Sequence, residues 1–196
     1  RRGTGRGWAL GQRRRGLRGL RVVAPQLSAL WQKLAGFWAR VDERAPGSLT
    51  CHAGCSDCCI DGLSVTSVEA AAIEELLSAA APPLREALRE ASARESESCP
   101  ALVEGRCSIY EARPVVCRSH GLAIRIGPDP DAKRHLPIVD ACPLNFVGQD
   151  LEALPSELVL EQATLSTLVA AVDAASRGAG VEAKRVPLRA LLGKRG

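Results

Sequence analysis

Apolar residues recur with helical spacing in four stretches of this chain and alternate in only one. After Pro25, residues Leu27, Leu30, Trp31, Leu34, Trp38 and Val41 fall every three or four positions, which predicts an amphipathic helix. Ala45-Pro46-Gly47-Ser48 ends it. Val68, Ala72, Ile73, Leu76, Leu77 and Ala80 form a second stripe, with Thr66 and Glu69 at capping-box spacing ahead of it. Pro82-Pro83 breaks that helix and opens a third, with Leu84, Ala87, Leu88 and Ala91 on one face. A fourth helix is predicted from about Pro155 to Ser176, with Leu158, Leu165, Leu168, Val169 and Val172 inward and Gly178 and Gly180 as stops.

The alternating stretch is Leu122, Ile124 and Ile126, separated by Ala123 and Arg125, which predicts a short strand. Pro128-Asp129-Pro130-Asp131 then turns the chain toward Leu136–Val139, giving a short β-hairpin. Residues 99–121, punctuated by Gly105, Pro114 and Gly121, read as loop. The expected fold class is therefore mainly α: a small helical domain with an irregular cysteine-rich centre and a short β-hairpin. The expected layout is a basic arm over residues 1–24, a cysteine-cluster domain over 25–176 and a loosely ordered basic tail over 177–196.

Composition refines this picture in two ways. Hydrophobic residues make up 46% of the chain and aromatics 3%, so Leu, Val and Ala must do most of the packing. The net charge of +4 is uneven: residues 1–21 hold eight Arg and no acid, leaving 18 basic and 22 acidic residues elsewhere. Such an arm can touch nucleic acid or anionic lipid by releasing counterions. Its Gly-rich, charged composition equally suits a disordered extension. Finger-like spacing with a basic recognition helix is missing, and the remaining chain is acidic, so any nucleic-acid contact is expected from the arm alone.

No stretch reaches the length of a membrane span. No compact apolar run with a small-residue cleavage site follows the N-terminal charges, so the expected compartment is the cytoplasm. Thiols stay reduced there, which turns attention from disulfides to metal or redox chemistry.

The chain has eight cysteines: Cys51, Cys55, Cys58 and Cys59 within nine residues, then Cys99, Cys107, Cys117 and Cys142. Thiolates are soft ligands suited to zinc and to iron–sulfur clusters, and a tetrahedral site takes four. If residues 51–59 were helical, all four local thiols would share a face. If they form a knuckle at Gly54, Cys55 and Cys58 are the natural pair. Adjacent Cys58 and Cys59 diverge in regular structure, so they serve two metals, or one is a ligand and the other a core or redox thiol. Eight thiols permit two four-ligand sites, one site with spares, or a polynuclear cluster. A thioredoxin-type reading of Cys55-Ser56-Asp57-Cys58 lacks the surrounding βαβ pattern.

Supporting residues lie around the later cysteines. Arg113 and Arg118 flank Cys117, where positive charge favours a thiolate; surface ion pairing is the alternative. Pro114 fixes the turn between them. Tyr110, the sole tyrosine, suits core packing with a hydrogen-bonded hydroxyl. His120 follows Cys117 by three residues and His52 follows Cys51; each is either a group at the metal or a solvated imidazole.

These blocks together resemble a known family. CHAGCSDCC, then CPALVEGRCSIYEARPVVCRSHG, then Cys142, is similar to the YkgJ-type cysteine-cluster family of zinc- or iron-chelating proteins. The second block carries a C-x-I-Y-x-x-R-P-x-x-C-R run from Cys107 to Arg118. The likeness spans roughly residues 49–145, and one departure is visible: three residues separate Cys51 from Cys55, where the family has two. The resemblance implies zinc, iron or an iron–sulfur centre held by the eight cysteines. It also implies an alternative, a metal-dependent redox or group-transfer enzyme, because flagellin lysine N-methylases look similar in their cysteine blocks. Against that alternative, the chain has no Gly-rich nucleotide loop and no evident acid–base pair, so no catalytic residue is assigned.

Overall fold

The computed structural model describes all residues except 1–22, 53, 130, 132, 134, 178, 179, 195 and 196. Nearly all of the expected basic arm, and with it the nucleic-acid contact, lies outside the described residues. Two compact units share the chain. Of the described residues, the first gathers 23–28, His52–Pro114 and those from Val172 onward, and the second joins Ala29–Cys51 to Val115–Ala171.

The long helix α1, Pro25–Arg44, follows the apolar stripe: Leu27, Leu30, Trp31, Leu34 and Val41 are buried. In the first unit, β1 (Ser64–Val65) leads into α2 (Ser67–Ser78). The capping residues act as their spacing predicts. The Glu69 carboxylate accepts from the Thr66 backbone N–H at 2.9 Å and from its hydroxyl at 2.8 Å. A buried carboxylate from far along the chain completes this helix start. Asp173 Oδ1 accepts from the Val68 N–H at 3.0 Å, and Arg177 Nε donates to Oδ2 at 3.0 Å. Helix α3, Pro82–Ala93, begins on the two prolines and buries Leu88 fully.

The region read as loop contains ordered pieces. Strands β2 (Leu102–Val103) and β3 (Arg106–Cys107) pair antiparallel across Glu104-Gly105, whose φ angles are +50° and +72°. Two positive φ values in a two-residue loop match the twist that a tight hairpin requires, and glycine takes one of them without strain. A 3₁₀ turn, Tyr110–Ala112, and a short helix α4, Val115–Ser119, follow.

The second unit is built on a three-stranded sheet. Strand β4 (Ala123–Ile126) pairs antiparallel with β5 (Ile138–Asp140), the expected hairpin, and parallel with β6 (Val159–Glu161). The third strand corrects the last helix, which is expected from Pro155. Ser156–Leu158 is a 3₁₀ turn, Val159–Glu161 is strand, and helix α5 runs Gln162–Ser176. The apolar run Leu158-Val159-Leu160 fits either period, and pairing with β4 decides it. Arg125 on β4 reinforces that pairing through Glu161, at 3.1 Å. Val41, Leu122, Ala123, Val139, Phe146, Leu158 and Val159 form the core of this unit.

Two further expectations change. On α5, Leu165, Val169 and Val172 are only half buried and Leu168 is exposed, while Asp173 is the buried residue. The segment read as a loosely ordered tail contains β7 (Val186–Pro187), paired with β1, and helix α6 (Leu188–Leu192). Leu188, Leu191 and Leu192 are all buried there. Among the described residues helices hold the larger share of regular structure, but the strands form three small sheets where the sequence pattern predicts a single hairpin. No helix among the described residues is long and apolar enough to cross a membrane.

Candidate metal centre

All eight cysteines carry thiols and none is bridged as a disulfide. The two units divide them: Cys55, Cys58, Cys59, Cys99 and Cys107 fall in the first, and Cys51, Cys117 and Cys142 in the second.

In the first unit the backbone links the segments that carry Cys59, Cys99 and Cys107. Residues 54–59 form turns instead of a helix, with Gly54 at φ +92°. The Cys55 N–H donates to the His52 carbonyl at 3.1 Å, and the Cys59 N–H donates to the Ser56 carbonyl at 2.8 Å. Beyond the turn, Ile60 bridges antiparallel to Ser98. The Cys99 N–H donates to the Cys59 carbonyl at 2.8 Å, and the Asp61 N–H to the Glu97 carbonyl at 2.7 Å. The Leu102 N–H then donates to the Cys99 carbonyl at 3.0 Å, and Leu102 lies opposite Cys107 in the hairpin. Main-chain pairing thus links Cys59 to Cys99 and Cys99 to Cys107.

Arg189, from α6, locks this arrangement. Its Nε donates to Asp61 Oδ2 at 2.8 Å, and its Nη1 donates to the carbonyls of Ser92 at 2.8 Å and Arg94 at 2.5 Å. One guanidinium thereby caps the end of α3 and anchors the strand that leads from Cys59. The Gly62 backbone N–H and then Arg189 hold the Asp61 carboxyl below its usual pKa.

The electrostatics of Cys59 and Cys99 follow from burial first and from crowding second. Burial, then the neighbouring Cys58, Cys107 and Cys99, push the Cys59 thiol up to about 12. Burial also raises Cys99, with the Asp61 carboxylate adding to the shift while the Ala101 N–H and Arg189 oppose it. A dication relieves this mutual repulsion, and soft sulfur is the donor that zinc and iron favour, so the donor set fits either metal. Among the described residues, no three His, Cys, Asp or Glu side chains already meet around one point as metal ligands do.

In the second unit, side chains do the positioning. Residues 48–50 run alongside 144–149. The Phe146 N–H donates to the Ser48 carbonyl at 2.7 Å, the Thr50 hydroxyl to the Leu144 carbonyl at 2.7 Å, and Gln149 Nε2 to the Ser48 hydroxyl at 2.7 Å. Asn145, only 4% exposed, sits at the centre. Its Oδ1 accepts from the Thr50 N–H at 2.9 Å, and its Nδ2 donates to the Gly121 carbonyl at 2.6 Å and to Cys51 Sγ at 3.4 Å. Its own N–H donates to the Cys142 carbonyl at 2.8 Å. Gly121, at φ +98°, leaves little space for a side chain. A Cβ there would stand 3.1 Å from Asn145 Nδ2, 3.1 Å from the Trp38 ring and 3.2 Å from Cys51 Sγ.

The supporting residues take mixed places. Arg113 lies over the Tyr110 ring at 4.1 Å, and Arg118 lies over Trp31 at 4.0 Å, so both guanidinium groups stack on aromatic faces. Trp38 Nε1 donates to the Arg118 carbonyl at 2.7 Å and ties α4, which carries Cys117, to α1. His120 follows α4 and is exposed, and His52 and His135 are exposed as well. Asn145, Arg189 and Trp38 are the positioning residues that sequence reasoning missed. Asn145 left a faint signal, standing three residues after a cysteine in Cys142-Pro143-Leu144-Asn145. Arg189 left none, because its partners lie about a hundred residues away.

Residues 50–142, the segment that holds all eight cysteines, match the CxxCxxCC family, described as a "putative zinc- or iron-chelating domain". That description supports metal binding in general terms. No curated protein and no solved structure matches the chain.

Proposed function

We propose that this chain binds zinc or iron through clustered thiolates. In the first unit, Cys55, Cys58, Cys59, Cys99 and Cys107 supply enough sulfur for a complete four-thiolate site, with one to spare. Cys51, Cys117 and Cys142 form a second group, one donor short of four thiolates, and His120 is the nearest imidazole along the chain from Cys117. When bound, the metal supplies charge that crowded thiolates need. The chain's own part is to fix the thiols' backbone positions and to present soft donors.

The observation that carries this reading is the main-chain link from Cys59 through Cys99 to the Cys107 hairpin. Thiolates held side by side repel one another, and a bound cation offsets that repulsion. Elemental analysis and an absorption spectrum of protein purified without added metal test the proposal. Stoichiometric zinc in a colourless protein, or iron with visible charge-transfer bands, supports it. A well-folded protein with no stoichiometric metal and eight reactive thiols overturns it.

A further inference from the structure

Asn145 makes a contact whose chemistry points in one direction. The orientation of its amide is fixed by its partners: the Thr50 N–H at 2.9 Å requires an oxygen, and the Gly121 carbonyl at 2.6 Å requires an N–H. The second proton of Nδ2 is therefore available to Cys51 Sγ, 3.4 Å away. The opposite contact, in which the Cys51 thiol donates to Asn145 Oδ1, is longer at 3.8 Å, and that oxygen already accepts from Thr50. Asn145 is buried, which limits the access of water to its amide. An amide N–H that faces sulfur stabilises the deprotonated, metal-bound form over the thiol. Gly121 leaves open the space in which amide, sulfur and the Trp38 ring meet.

We infer that Asn145 is a positioning residue for a metal centre that includes Cys51, acting through an N–H···S bond to the ligating sulfur. The inference rests on the proposed metal-binding function and adds a residue outside the cysteine motif. Its test uses the full chain loaded with ¹¹³Cd, and zinc competition against a chromophoric chelator. In cadmium-loaded wild-type protein, the Cys51 Hβ protons should couple to ¹¹³Cd. One Asn145 side-chain amide proton should couple to the same ¹¹³Cd through the sulfur. Asn145→Asp keeps size and the Thr50 acceptor but removes the donor, and should weaken zinc binding about 10- to 100-fold. Cys51→Ser should weaken it as well.

Coupling from Cys51 with none from Asn145, together with wild-type zinc affinity in N145D, overturns the inference and leaves the metal-binding function standing. Failure of the wild-type chain to bind either metal overturns both. If N145D does not fold, the coupling in wild-type protein decides alone.

Discussion

The two groups of cysteines are held in place by different means. Cys59, Cys99 and Cys107 hang from backbone hydrogen bonds, which most residues could make. Cys51 meets one buried amide, beside a glycine at which any Cβ would press on Asn145, Trp38 and Cys51. A backbone frame tolerates side-chain change and is sensitive to backbone geometry, whereas a side-chain frame fails at single positions. Apart from Arg189, the first group should therefore be robust to most point substitutions near it, and the second should not.

The largest expected effect breaks the second group. Gly121→Val forces a β-branched residue into φ +98° against Asn145, Trp38 and Cys51. Urea denaturation should show a loss of about 3 kcal/mol or more, from backbone strain and overpacking together. A wild-type midpoint would remove the steric argument.

Next comes the anchor of the first group. Arg189→Met keeps much of the side chain's length and removes the bonds to Asp61 and to the carbonyls that end α3. The expected loss is about 2 kcal/mol, since charge-assisted bonds are among the stronger ones. An unchanged midpoint would mean that backbone pairing alone holds Cys59 against Cys99. Gly105→Ala is milder: its φ of +72° costs a Cβ about 1 kcal/mol and leaves the Leu102–Cys107 register intact.

The smallest effect concerns reactivity in metal-free protein. Cys58 is exposed, while Cys59 is half buried with its thiol pushed up to about 12. The thiolate is the nucleophile, so near pH 8 Cys59 stays protonated and should alkylate more slowly than Cys58. The gap should narrow as pH rises toward 12, where Cys59 ionises. Equal rates read by mass spectrometry at pH 8 would contradict the crowding described for Cys59.

The fold was partly legible in the sequence, and the reasons differ by element. The stripe of α1 and the start of α2 are local patterns, and the buried Leu27, Leu30 and Trp31 and the Thr66–Glu69 bonds agree with them. Strand β6 was not legible, because Val159-Leu160 fits a helix until β4 lies beside it. Helix α6 was hidden by length: Leu188, Leu191 and Leu192 make a stripe of only five residues amid basic charge. The Glu104-Gly105 hairpin was signalled by its glycine but lacks a long alternating flank. For the site, the cysteines announced the chemistry. Their division between two units, and the roles of Asn145 and Arg189, depend on contacts between residues about 94 and 128 positions apart.

X-ray absorption at the metal edge of protein purified without added metal tests the central claim most directly. Thiolate ligation predicts a first shell dominated by sulfur at about 2.3 Å. A shell of nitrogen and oxygen alone, at the shorter distance of about 2.0–2.1 Å, would contradict it.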